Sequence, residues 1–369
     1  MRRRNFLAAP LGAGLLAAAE GEGADRQIMA TGDGIPHSPR EYASLLAKLS
    51  EHTRADSYSL GGVIEKLEQS VAAALGKEYA VWMPTGTLAN HLAMRMLAGE
   101  RRRVIVQAEC HLYNDCGDCA QTLSGLNMIP LGAGRATFTL EEVESAASRA
   151  ALGRVTTPIG AIQIESPVRR RTGEQFRFAE MKRICGWARE RKIGLHLDGA
   201  RLFLESAYTG ISVKEYAAQF DTVYISMYKY FNAASGAVLA GPKILLENAY
   251  NIRRMFGGGV NHSWPAAAVA LHFFDGFETR FRQAVKTSEA VLKALSSDSN
   301  FEVRRIENGT NIAMMRVRGV NAPVYRQRLE LAGITIGAPE NEWFRVQVNE
   351  TWNRRQAEEI TARFRKALG

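Results

Sequence analysis

Hydrophobic positions along the chain follow two rhythms. Val63, Ile64, Leu67, Val71, Ala74 and Leu75 recur at helical spacing, and a short apolar run at 79–83 follows them. Pro84-Thr85-Gly86-Thr87 interrupts the run, and Leu88, Leu92 and Met96 then resume the helical period. Further short apolar runs lie at 104–106, 127–131, 161–164, 193–197, 222–226 and 237–240. Most are separated by helix-length stretches, such as the one that carries Met181, Ile184, Cys185 and Ala188 on one face. Strands buried on both sides show unbroken apolar runs rather than alternation. This order therefore predicts an α/β fold: a large domain over 61–274 with a mostly parallel, seven-stranded sheet covered by helices on both faces.

From about Asp275 the rhythm changes. A long helical pattern over 281–295 precedes strand candidates at 301–303, 312–317 and 344–348, and a closing helix carries Ile360, Phe364 and Leu368. A smaller C-terminal α/β domain over 275–369 is expected. Residues 20–60 are polar, contain Gly32-Asp33-Gly34 and two prolines, and include a helical pattern around Tyr42 to Leu49. They form an extended N-terminal arm.

Composition narrows the class. With 369 residues, 46% of them hydrophobic and 23% charged, the chain is too apolar for disorder and long enough to bury a sizeable core. Four cysteines exclude a disulfide scaffold. The isoelectric point of about 9.5 suggests a nucleic-acid partner, yet the basic residues are scattered among acids. Their densest runs, Arg2-Arg3-Arg4, Arg101-Arg102-Arg103 and Arg169-Arg170-Arg171, are short, and no nucleic-acid-binding module accompanies them. No nucleic-acid partner is expected. Arg3-Arg4-Asn5-Phe6-Leu7 instead heads an apolar, alanine-rich stretch ending at Ala17-Ala18-Ala19, the layout of a twin-arginine export signal over 1–19. That stretch is too short for a membrane span, so no stable membrane association is expected. The expected location is outside the cytoplasm, in the periplasm, or in the cytoplasm if the signal is not used. Cleavage before Glu20 would lower the formal charge from +9 by three arginines.

Three segments carry chemistry. Pro84-Thr85-Gly86-Thr87-Leu88-Ala89-Asn90 runs from a strand through a glycine turn into a helix, where free N–H groups and the helix dipole favour an anion. Thr85 and Thr87 add hydroxyl donors. Gly194 to Arg201 sets His196, Asp198 and Arg201 at the C-terminal end of a buried strand, the edge where open α/β sheets bind ligands. Asp221 to Tyr230 places Lys229 directly after an apolar strand and between two tyrosines, a setting for a lysine of depressed pKa that forms a Schiff base. An anion cradle, an aspartate and a lysine, each at a strand end, match the needs of pyridoxal 5'-phosphate. The cradle holds the phosphate, the aspartate keeps the ring nitrogen protonated, and the lysine binds the aldehyde.

On these segments, and on Gly236 to Gly241 and Gly257-Gly258-Gly259, the sequence resembles the threonine aldolase / aromatic amino acid β-eliminating lyase family of pyridoxal-phosphate enzymes. The resemblance implies an aminotransferase-like large domain and a homodimer or homotetramer with active sites at subunit interfaces. It also implies an amino acid as the small-molecule substrate. Matched position by position, Thr85, Gly86 and Thr87 form the phosphate turn, and His111 in Cys110-His111-Leu112-Tyr113 stacks on the cofactor ring. Asp198 pairs with the ring nitrogen, Lys229 carries the cofactor, and Arg201 and Arg345 face the substrate carboxylate. The implied reaction is Cα–Cβ cleavage of β-hydroxy amino acids to glycine and an aldehyde.

Three positions depart from the family pattern. Val168, in Glu165-Ser166-Pro167-Val168-Arg169, stands where the family has a second histidine, which removes a general base for aldol cleavage. Tyr228 replaces the usual serine before the lysine, and Asn261-His262 replaces an arginine after the glycines. These changes leave β-elimination, racemisation and a non-catalytic binding role as alternatives. Cys116, Cys119, Ala120 and Leu123 fall at helical spacing and are expected to pack as a buried stripe rather than hold a metal.

Overall fold

The structure is a computed structural model that describes residues 27–369. The predicted export signal lies outside the described residues. Strand β1 is Ile28–Met29. β2 (Tyr79–Met83), β3 (Arg103–Gln107), β4 (Asn127–Leu131), β5 (Ile159–Glu165), β6 (Gly194–Asp198), β7 (Thr222–Ser226) and β8 (Ala237–Gly241) form one seven-stranded sheet in the order β2-β8-β7-β6-β5-β3-β4. Only β8 runs antiparallel to its neighbours. All seven strands lie where the apolar runs predict them. β5, β7 and β8 are buried along their whole length, as strands covered on both faces must be. β4 lies at the sheet edge with a half-exposed pattern, where Pro130 removes no needed donor.

Register fixes the chemistry at one edge of this sheet. Glu165 on β5 is level with Asp198 on β6, which in turn is level with Tyr224 on β7. The helix Gly86–Ala98 begins with Thr85 as its N-cap and packs across β5 to β8. At Gly86 a Cβ would fall 2.0 Å from the Tyr224 Oη, so only glycine lets the helix start this close to the sheet.

β9 (Phe301–Arg305), β10 (Ile312–Val317) and β12 (Phe344–Gln347) form a separate antiparallel sheet in the order β12-β10-β9. The helices Phe277–Ser296 and Ala357–Lys366 pack with these C-terminal elements. The arm is more structured than its polar sequence predicts. β1 pairs in parallel with β11 (Ile334–Thr335), and Asn349 Nδ2 donates to the carbonyls of Met29, Thr31 and Gly32 at 2.9, 3.2 and 3.1 Å. A two-residue strand leaves no periodic signal. The arm's helix, Pro39–Ala47, is set by a capping box of Ser38 and Glu41.

The cysteine stripe is only partly realised. The helix Cys119–Ser124 buries Ala120, but Leu123 is 57% exposed and Cys116 lies in the turn before it. All four cysteines are free thiols. Among the described residues, no helix is long and apolar enough to cross a membrane.

Glu205, in the helix Leu202–Thr209, is fully buried. Its Oε1 accepts from Ser166 Oγ at 2.8 Å, while Oε2 has no partner. Burial raises this carboxyl from 4.5 to about 7. The folded chain keeps the proton where the unfolded chain has released it, so this contribution is complete below pH 4.5 and is lost as pH rises to about 7. Glu205→Gln is expected to match the parent near pH 4.5 and exceed it at pH 8, by up to roughly 3 kcal/mol on the scale of such a shift. Denaturant midpoints at the two pH values check this.

Candidate active site

A cavity of about 590 Å³ opens at the C-terminal ends of β5, β6 and β7. His111, Glu165, Asp198, Arg201 and Lys229 line it, with Asp33 and Gly34 from the arm. A larger groove of about 1000 Å³, between the arm and the helices Gly62–Leu75 and Trp264–Phe274, contains none of these groups.

Lys229 sits in the loop between β7 and β8. Its Nζ is 3.4 Å from Tyr228 Oη and lies 4.7 Å from the centre of that ring. Burial, then the nearby Arg201 charge, lowers its ammonium to about 8. A usable fraction of Lys229 is therefore a neutral, nucleophilic amine near neutral pH. The arm lies directly on this loop: Ile35 N–H donates to Asn232 Oδ1 at 2.7 Å, and a Cβ on Gly34 would collide with the Lys229 carbonyl.

Asp198, 2% exposed, accepts from Ala200 N–H through Oδ1 at 3.1 Å and from Asn90 Nδ2 through Oδ2 at 2.6 Å. Beside it, Glu165 accepts from the backbone N–H of His111 at 2.6 Å and of Arg169 at 2.9 Å. Burial, reinforced by the Asp198 charge, raises Glu165 to about 7. His111 opens the short helix His111–Asn114, and its Nδ1 lies 3.3 Å from Cys116 Sγ. Arg201 Nε donates to Asp33 Oδ2 at 2.8 Å in a largely buried ion pair, and Asn311 Nδ2 reaches the other oxygen at 3.3 Å.

The structure thus brings together His111, Asp198, Arg201 and Lys229. Gly86 and Thr87 adjoin the cavity rather than line it: Gly86 touches Tyr224, and Thr87 Oγ1 is 3.7 Å from Cys116 Sγ. Thr85 is exposed, and its Oγ1 accepts from Leu88 N–H at 3.2 Å. The first N–H groups of this helix have no intrahelical acceptor and suit an anion. Arg345 lies apart. It is exposed on β12, 3.5 Å from Glu340, in a neighbouring cleft of about 310 Å³ that shares only Arg169 with the main cavity. Val168 is fully buried, so Pro167 and Arg169 face the cavity at that turn. His262 meets the Asp56 carbonyl at 2.8 Å, away from the cavity.

Sequence reasoning left Asp33, Glu165, Tyr224 and Asn90 without roles. Glu165 and Tyr224 end or sit within recognised strands, level with Asp198, so register could have indicated them. Asp33, 168 positions from Arg201, left no local signal. Chemically the site joins a nucleophilic amine, a fixed carboxylate, an imidazole, a guanidinium and an anion-binding helix start.

A model of the family described as beta-eliminating lyase matches residues 51–318. The low specificity L-threonine aldolase of Escherichia coli strain K12 is 24% identical over 327 residues, covering 88% of this chain and 95% of that one. A low-specificity L-threonine aldolase of Candida albicans is 30% identical over 222 residues, covering 57% of this chain and 56% of that one. In three dimensions, a crystal structure from Exiguobacterium sp. 255-15, of the aromatic amino acid beta-eliminating lyase/threonine aldolase class, matches with a TM-score of 0.78. It is 25% identical and covers 94% of this chain and 98% of that one.

Removing Asp33 alone strands a buried guanidinium. Asp33→Leu is expected to cost the apoprotein roughly 3 kcal/mol, whereas Asp33→Leu/Arg201→Met recovers most of that loss. A double-mutant cycle of denaturant midpoints with Arg201→Met as the other single change measures both.

Proposed function

Because the chain belongs to the beta-eliminating lyase family, we propose that it is a pyridoxal 5'-phosphate-dependent carbon–carbon lyase that cleaves β-hydroxy amino acids to glycine and an aldehyde. The observation that supports this best is Lys229, lowered to about 8, sharing one cavity with His111, Asp198 and Arg201. The threonine aldolase relatives point to the same reaction.

The residues fit that cofactor. Gly86 and Thr87 offer its phosphate the start of a helix held close by Tyr224, with the Thr85 hydroxyl beside them. Asp198, held by two N–H donors, would meet the ring nitrogen, His111 would lie against the ring, and Lys229 would carry the aldehyde carbon. Once bound, the cofactor supplies an electron sink for negative charge developing at the substrate Cα.

The chain's own groups do the rest. Lys229 Nζ, near its own pKa at neutral pH, can give and take a proton at Cα. Arg201 would receive the substrate carboxylate in the bidentate manner of a guanidinium. With Val168 buried and Glu165 engaged by two backbone N–H groups, His111 is the imidazole lining the cavity among the described residues. It would take the β-hydroxyl proton, directly or through a water. Arg345, exposed in the adjacent cleft and paired with Glu340, stands apart from this carboxylate site. The same reading carries a homodimer or homotetramer and, from Arg3-Arg4, twin-arginine export.

The buried valine favours a second reaction on the same cofactor, β-elimination or racemisation, because neither needs a second histidine at the hydroxyl. Purified protein supplied with the cofactor is expected to show a visible absorbance band and to release glycine from threonine or phenylserine. Lys229→Ala is expected to lose the band and at least about a thousandfold in rate, as removal of a nucleophile does. No glycine, with pyruvate formed from serine, would move the assignment to elimination.

A further inference from the structure

One buried titratable group takes no part in the chemistry above. His196, fully buried on β6, stands two residues before Asp198 and so shares its face of the strand. Both face the helix Gly86–Ala98, where Asn90 is also fully buried. His196 Nε2 lies 2.8 Å from Asn90 Oδ1, and Asn90 Nδ2 lies 2.6 Å from Asp198 Oδ2. On the other side, His196 Nδ1 lies 2.8 Å from Oγ1 of Thr222, its register partner on β7.

Chemistry fixes the direction of this chain. A carboxylate only accepts, so the amide nitrogen of Asn90 must face Asp198 and the amide oxygen must face His196. That oxygen requires Nε2 to carry the hydrogen. Burial lowers His196 to about 4, so its ring is neutral and its bare Nδ1 accepts from the Thr222 hydroxyl. Turning the Asn90 amide over would set its oxygen against the carboxylate. Every donor in the row therefore points from Thr222 toward Asp198.

We propose that His196 is a positioning residue for Asp198. With Thr222 behind it and Asn90 ahead, it forms a one-directional hydrogen-bond relay that holds the Asp198 carboxylate oriented. Through that carboxylate, it sets the proton affinity of the cofactor ring nitrogen. The proposal rests on the reading of Asp198 as the partner of that nitrogen. The other charged or titratable groups around Asp198 are Glu165 on β5, Tyr224 on β7, and His111, Arg201 and Lys229 in the cavity.

The test uses the cofactor-loaded enzyme and reads its spectrum rather than its turnover. His196→Leu is expected to shift the pH midpoint of the visible band by roughly one unit and to weaken cofactor binding about tenfold, the effect of losing a bond that supports a charged group. His196→Gln, whose amide N–H reaches the place of Nε2–H, is expected to restore both values. Thr222→Val changes little volume, so it carries the test whether or not the leucine variant folds, with a smaller shift in the same direction. Wild-type midpoint and affinity in Thr222→Val, or in a folded His196→Leu, would overturn the relay and leave the site reading intact. A wild type that shows no visible band would overturn that reading, and the relay with it.

Discussion

Two carboxyl groups, Glu165 and Asp198, end adjacent parallel strands in register and are both nearly excluded from water. Two like charges so close in a buried place cannot both persist at low cost. The surroundings divide them. Asp198 receives a side-chain amide N–H and a backbone N–H, with Lys229 and Arg201 across the cavity. Glu165 also accepts two backbone N–H groups, but burial and the Asp198 charge raise it to about 7. Glu165 is left close to taking a proton. Glu165 thereby fixes the backbone of His111 and Arg169 without adding a second full charge to the cavity.

That division depends on the sheet and the helix that crosses it. Parallel strands put their C-terminal ends on one edge, so β5, β6 and β7 deliver Glu165, Asp198 and the Lys229 loop to one place. The helix Gly86–Ala98 serves two purposes there. Its first turn offers N–H groups to an anion, and its second turn brings Asn90 to Asp198. Gly86 permits both, since any side chain would push the helix start off Tyr224 and draw Asn90 away with it.

The seven strands were legible because each is a short apolar run bounded by a turn; Asp198 and Lys229 were legible because each ends or follows such a run, whereas His111 came only from the family resemblance. Contacts between distant segments were hidden. β1 is two residues long, and its pairing with β11 joins the arm to the C-terminal region across some three hundred positions. Asp33 reads as a loop residue between glycines until folding sets it on Arg201. Periodicity also misplaced Cys116: Gly117 and Asp118 both take left-handed conformations before the helix Cys119–Ser124 begins, which breaks the spacing. Arg345 matched a family position, yet its neighbours in the fold are Glu340 and the Arg169–Arg170 turn rather than Lys229.

The arm sets the surroundings of the proposed carboxylate site. Asp33 already gives Arg201 a carboxylate partner at 2.8 Å, in a place largely closed to water. If Arg201 receives the substrate carboxylate as proposed, that carboxylate would have to share the guanidinium with Asp33 or displace it, so the gain on binding would be the difference between two similar pairs. Sharing is chemically open, because the Asp33 bond uses only Nε and a guanidinium has further donors on its two terminal nitrogens. Retaining Asp33 would keep the guanidinium neutralised before substrate arrives and aim its free edge into the cavity. On that reading the contact would act as preorganisation: Arg201 would meet the substrate already desolvated, oriented, and held by a segment that also lies on the Lys229 loop. Movement of the arm would loosen the carboxylate grip and the lysine together, which couples substrate binding to the position of the reactive amine.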